Sequence, residues 1–229
     1  MKVSKLFLCL AAIIGLVLFT PPAAKASSTN IYIDSFQNID WSKELTGEIY
    51  WKQSSSSSLK SFSFCVDTGH NMSVPANYYK EAFSIAGNQG RLEAAYLMDT
   101  YAPSKHGAFS GSTDGHAWNS DVIGTGTALQ LAIWDVTGQS HMTLAQVGSQ
   151  YAYLYDKAAE LKLGADSAWG PDGHALAGLA NSYQFFSLWA DSAKLDKKQD
   201  ILAPVPLPPS MFLLGAGLVG LVGVRRRMR

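Results

Sequence analysis

Both ends of this 229-residue chain are apolar stretches that carry basic residues and no acidic ones, which limits what is left to fold. Lys2 and Lys5 precede the apolar run Leu6–Phe19, and Ala24-Lys25-Ala26 follows Pro21 and Pro22. A basic start, an apolar run and an A-x-A site make a Sec-type signal peptide of residues 1–26, cut after Ala26. At the other end, Pro204-Val205-Pro206-Leu207-Pro208-Pro209 reads as an extended, polyproline-like spacer. Met211–Val224 follows without a charge, and then Arg225, Arg226, Arg227 and Arg229. As a helix this span measures about 21 Å, a short transmembrane helix against a bilayer core of about 30 Å. The arginines after it fit a cytoplasmic tail. An uncleaved anchor at the first end and a permanent anchor at the second are the plain alternatives.

A folded domain is therefore expected over 27–203, with 204–229 as a separate tail. The ends take seven of the 18 Lys+Arg and none of the 18 Asp+Glu, so the middle has a formal net charge of −7 although the whole chain sums to zero. Such acidity argues against nucleic acid, whose phosphates need basic patches. The middle is long enough for one buried core. Of the two cysteines, Cys9 leaves with the leader. Cys65 is then a lone thiol in an exported chain: buried, intermolecular, or chemically used.

Asn30–Asp34 and Thr46–Lys52 alternate as strands, and Ser54–Ser58 is a flexible connection between patterned segments. Leu59–Asp67 sends Phe62, Phe64 and Val66 to one face and Ser61, Ser63 and Cys65 to the other. The period then changes to helical over Arg91–Tyr101, Thr127–Val136 and Leu144–Leu163, with Gly164 as the cap of the last. Ala165–Gly178 reads as a loop, and Asn181–Ala190 returns to strand composition. The order predicts one α+β domain, a β-strand framework with a helical insertion, flanked by the signal peptide and a short C-terminal hydrophobic helix.

The tail resembles the PEP-CTERM sorting signals of Gram-negative bacteria. The motif is Val205-Pro206-Leu207-Pro208-Pro209, with Pro209 where that family usually has alanine, followed by the glycine-spotted span and the cluster Arg225-Arg226-Arg227. The resemblance implies an exosortase-type membrane protease as a partner, passage through the inner membrane, removal of the tail, and delivery to the cell surface or extracellular matrix.

In the middle of the chain, three segments stand in a telling order: Phe64-Cys65-Val66-Asp67, Leu129-Gln130-Leu131-Ala132-Ile133-Trp134 and Tyr183-Gln184-Phe185-Phe186. Together they resemble the bacterial thioester domains of surface adhesins, over roughly Ile31–Trp189. The helical motif there usually begins Thr-Gln; here Leu129 holds the Thr position and Thr127 lies two residues earlier. The resemblance implies that Cys65 Sγ attacks the side-chain amide carbon of Gln184 and expels ammonia. It also implies that the helix face of Thr127, Gln130 and Trp134 covers and orients the bond. The stored thioester would then take an amine from a surface or matrix component of a partner, once and without turnover, so no enzyme is expected.

On residue types alone, Cys65 reads as an inert buried thiol, Trp134 and Ile133 as core, Gln130 as the cap of a buried carbonyl, and Gln184 as a solvated strand residue. A noncovalent structural or glycan-binding matrix protein with a degenerate thioester site is the alternative function. A thiol hydrolase built on Cys65 with His70 or His116 lacks an orienting third group. Asp114-Gly115-His116 and Asp172-Gly173-His174 are turn signals before they are ligands, so neither metal nor cofactor is expected.

Overall fold

Among the described residues there are eight strands, and six of them close into a barrel. In the computed structural model the described residues are 30–40, 45–113, 115–171 and 175–205. The barrel strands are β1 (Asn30–Asp40), β2 (Leu45–Lys52), β3 (Ser61–Cys65), β4 (Ala76–Phe83), β7 (Tyr183–Trp189) and β8 (Ile201–Pro204). Every neighbouring pair is antiparallel, in the order β1-β2-β3-β8-β7-β4. A two-residue hairpin pair, β5 (Ser112–Thr113) and β6 (His116–Ala117), stands apart from it.

The register shows which face is inside. Cross-strand partners share a face, which places Ile33, Trp51, Ser61, Cys65, Ile201 and Phe186 together. The rings of Trp51 and Phe186 meet edge to face at 6.3 Å, although β3 and β8 stand between them in the sheet. That contact runs across the barrel, so this face is the interior. Phe64 and Leu202 point the other way and are fully buried under the helices.

The helical insertion lies between β4 and β7: α1 (Gln89–Tyr101), α2 (Pro103–His106), α3 (Val122–Thr137), α4 (Leu144–Val147) and α5 (Ala152–Trp169). α3 starts on Asp121, whose side chain accepts from the Gly124 N–H, and ends on Gly138 at φ 71. Its residues 124–134 are buried nearly all round because it is sandwiched, with the barrel on one side and α1 and α5 on the other.

Several expected boundaries move. The single helix over Leu144–Leu163 is instead α4, a 3-10 turn at Ser149–Tyr151, and α5. Gly148, at φ 108, makes the break. The helix passes through Gly164, because burial of Leu161 and Ala165 offsets the roughly 1 kcal/mol that a mid-helix glycine costs. It ends at Trp169, with Gly170 at φ 67 as its cap, so the first part of the expected loop 165–178 is helical. Pro204 belongs to β8, and the Val205 N–H donates to Ser182 O at 2.8 Å, so the folded unit reaches past the expected boundary at 203.

The expected transmembrane helix is corrected: no helix among the described residues is long and apolar enough to cross a membrane. The span Met211–Val224 itself, the signal peptide 1–26, and Pro206, Leu207, Pro208, Pro209, Arg225, Arg226 and Arg227 lie outside the described residues.

Candidate functional site

Cys65 ends β3 with its side chain directed into the barrel mouth, 2% exposed. β2 pairs with β3 only from Ser61 to Ser63, so at Cys65 the ladder on that side has run out. The side chain of Gln130, fully buried on α3, replaces it. Its Oε1 accepts from the Cys65 N–H at 2.9 Å and its Nε2 donates to Cys65 O at 2.7 Å. One turn on, Trp134 lines the same cavity as Cys65, and its Nε1–H is buried with no acceptor at hydrogen-bonding geometry. Thr127, one turn earlier, is buried too, but its hydroxyl donates to Ile123 O at 3.0 Å within its own helix.

The cavity measures about 320 Å³ and is lined by Phe36, Ile49, Cys65, Met72, Trp134 and Gln199, among others. None of its lining residues carries a formal charge. Burial pushes the Cys65 thiol up from its ordinary pKa. The Asp67 backbone and the Trp134 indole pull it the other way, and the charges of Asp67 and Asp200 add to the upward push.

The sheet separates Cys65 from Gln184. Cys65 lies opposite Ile201, and Ile201 opposite Phe186, so β8 stands between the two strands. Gln184 shares the inward face but is opposite Ala203, two residues further along. A whole strand and an offset of two residues thus separate the two backbones in the ladder. The fully buried Ile201 side chain also fills the way. The ladder does not bring the expected pair, Cys65 and Gln184, side by side.

A different glutamine stands where the chemistry needs one. Gln199 precedes β8 by two residues, on the face of Ile201, and is thus a diagonal neighbour of Cys65. The Val66 N–H donates to Asp200 O at 3.0 Å, which carries the β3–β8 ladder one step further and locks this register. Gln199 Nε2 donates to Asp67 O at 3.0 Å, and Cys65 Sγ donates to the same oxygen at 2.9 Å. Thiol and carboxamide are thus held on one acceptor, and their separation cannot exceed the two contact lengths combined.

The two histidines weighed with Cys65 are engaged elsewhere. His70 Nδ1 meets Asp67 Oδ2 at 2.7 Å, and His116 Nε2 meets Asp121 Oδ2 at 2.8 Å. Among the described residues no three His, Cys, Asp or Glu side chains gather as a metal site would require.

No family model and no curated protein matches the chain. Among solved structures it is similar to the N-terminal thioester domain of a surface protein from Clostridium perfringens. The identity is 12% and the TM-score 0.41, over 77% of this chain and 100% of that one.

Proposed function

We propose that this is an exported surface or matrix protein that closes an internal thioester between Cys65 and Gln199 and uses it once, to capture an amine on a partner. The observation that carries the reading is the shared acceptor, Asp67 O, which holds Cys65 Sγ and Gln199 Nε2 side by side in one cavity. The order of the Cys65 and Gln130–Trp134 motifs, and the leader ahead of them, support it from the sequence.

In the first step the sulfur adds to the Gln199 side-chain carbonyl carbon. The C–N bond breaks, and the thiol proton leaves with the departing ammonia. The low exposure of Cys65 keeps water from the product, which would otherwise hydrolyse. The unpartnered Trp134 N–H is a donor for the negative charge that develops during addition. In the second step an amine replaces sulfur at the same carbon, forming an amide and restoring the Cys65 thiol. The tail motif from Val205 to Pro209 with Arg225–Arg227 supplies the address, read by an exosortase-type membrane protease before release to the surface.

One observation favours a second reading, a noncovalent matrix protein with the site left open: burial holds the Cys65 thiol in its protonated, less nucleophilic form. The intact mass of the purified mature domain decides. A deficit of one ammonia, absent from Cys65→Ala and Gln199→Ala but kept in Gln184→Ala, is the expected result. Full mass with an alkylatable thiol in the wild-type domain overturns the thioester.

A further inference from the structure

Asp67 O accepts from two side chains, Cys65 Sγ at 2.9 Å and Gln199 Nε2 at 3.0 Å. These are the two groups that thioester closure changes. Once sulfur is bonded to the Gln199 side-chain carbon, the thiol hydrogen is gone and the nitrogen has left as ammonia. Closure therefore takes both of these donors from one backbone carbonyl, and that carbonyl stands beside the new electrophilic carbon. An acceptor stripped of its donors inside a protein costs free energy until another donor arrives.

The donor that arrives next is the amine. Capture of ammonia itself is the reverse of closure, so it passes through the same tetrahedral carbon, bearing sulfur, oxygen and nitrogen. An incoming nitrogen therefore enters at the place Gln199 Nε2 now holds, with an N–H toward Asp67 O. Apart from its new bond to carbon, that nitrogen has three places. One faces Asp67 O and needs a hydrogen. One faces the sulfur, and its hydrogen passes to the sulfur as the C–S bond breaks. The third is left for the substituent. Gln199 is half-buried on the wall of the cavity of about 320 Å³, which gives that substituent room.

Resting on the Cys65–Gln199 thioester, we infer that the Asp67 backbone carbonyl seats the incoming amine and limits capture to nitrogen with a single carbon substituent, a primary amine. A secondary amine must turn a carbon toward either Asp67 O or the sulfur. In the first case the carbonyl is left without a donor; in the second the proton has no direct path to the leaving sulfur. The product fits the same seat. A primary amine gives a secondary amide whose remaining N–H donates to Asp67 O as Gln199 Nε2 does, and the freed Cys65 thiol regains its own bond to that oxygen. A secondary amine gives a tertiary amide with no N–H to offer.

Propylamine, isopropylamine and N-methylethylamine share one formula, so they separate substitution at nitrogen from bulk. Each is incubated with the whole mature domain, and the rate of adduct formation is read by intact mass. Each rate is divided by that of the same amine with a short unstructured cysteine-thioester peptide, which removes differences in nucleophilicity. Cys65→Ala, which cannot close the thioester, is the blank. Propylamine and isopropylamine are expected to add. N-methylethylamine is expected to lag by about tenfold or more after the division, the usual size for a hydrogen bond to a group that gains charge. Isopropylamine, branched at carbon and not at nitrogen, guards against simple crowding. The seat is overturned, with the thioester left standing, by a wild-type domain that has the ammonia deficit but takes none of the three amines. The same holds if it takes N-methylethylamine as readily as propylamine, or rejects isopropylamine as strongly as N-methylethylamine. A wild-type domain without the deficit overturns the thioester and the seat together.

Discussion

The side-chain amide of Gln130 pairs with the backbone of Cys65 as a neighbouring strand residue would, accepting from its N–H at 2.9 Å and donating to its C=O at 2.7 Å. It does so at the residue where β2 parts from β3. A helix thereby finishes a sheet ladder, and the strand end bearing the thiol is fixed to the helix that covers it.

Gln130 is therefore a structural residue as much as a chemical neighbour. Gln130→Ala leaves a buried N–H and a buried C=O without partners, at about 1–3 kcal/mol each. The expected loss of stability is about 2–5 kcal/mol by urea denaturation. Gln130→Glu keeps the acceptor but, when ionised, cannot donate to Cys65 O, so it is expected to be destabilised as well. A loss below about 1 kcal/mol for Gln130→Ala would show that water or a shifted strand replaces the pair.

Trp134→Phe tests the indole without emptying the core. A smaller aromatic ring remains, and the N–H that favours the Cys65 thiolate is removed. In a Gln199→Ala background, where the thiol stays free, the alkylation rate as a function of pH reports thiol ionisation. Burial already places that profile on the alkaline side of an ordinary thiol, and Trp134→Phe is expected to move it further up. An unchanged or lowered midpoint would remove the indole from the account of this site.

Much of this site is legible in the sequence, because the strand through Cys65 and the helix through Gln130 and Trp134 each hold one period long enough to read. Gln199 is not legible in the same way. Its strand, β8, is four residues long, is fully apolar before Pro204, and runs straight into the proline-rich spacer, so it shows neither alternation nor a turn. Tyr183-Gln184-Phe185-Phe186 offers a glutamine on a longer strand, but a sequence pattern does not state strand order. The insertion of β8 between β3 and β7 is what places Gln199 beside the thiol. The missing signal was the glutamine two residues before the last apolar triplet, Ile201-Leu202-Ala203, on the face that the register gives to Cys65. Likewise, the break of the long helix at Gly148 rests on one backbone angle that hydropathy does not report.

α3 is seated on β2 through a glycine. A methyl group added at Gly47 would lie 2.9 Å from the Gly126 carbonyl carbon and 3.1 Å from the Thr127 nitrogen, both of them backbone atoms. Gly47→Ala is expected to cost about 1–3 kcal/mol, as overpacking does, and to speed alkylation of Cys65 in the Gln199→Ala background as the helix lifts. Gly178→Ala is the control, since a methyl there meets nothing within 4 Å. Equal thermal stability of the two variants would mean that α3 and β2 adjust without strain.

Asp99 ties α1 to α2 and to β7, and it sets part of the acid response. Its Oδ1 accepts from Lys105 Nζ at 2.6 Å and from the buried Tyr183 hydroxyl at 3.0 Å. The Lys105 contact, ahead of the Tyr183 one, holds the Asp99 carboxyl below its ordinary pKa. A folded-state pKa below the unfolded value of about 3.9 gives stability that is present above that value and is lost as pH falls through the folded one. Tyr183 has the opposite sign: burial, then the Asp99 charge, push its phenol up, so its contribution is present below about pH 10 and fades as pH rises through the folded value. The Asp99 carboxylate is about half exposed, and the effect is expected to stay under about 1 kcal/mol. Asp99→Asn should flatten the decline in unfolding free energy between about pH 4 and pH 2, and should let Tyr183 titrate closer to an ordinary tyrosine. Urea melts across that range and an ultraviolet titration of the phenol check the two limbs. An acid limb as steep in Asp99→Asn as in wild type would assign the acid sensitivity to other carboxylates.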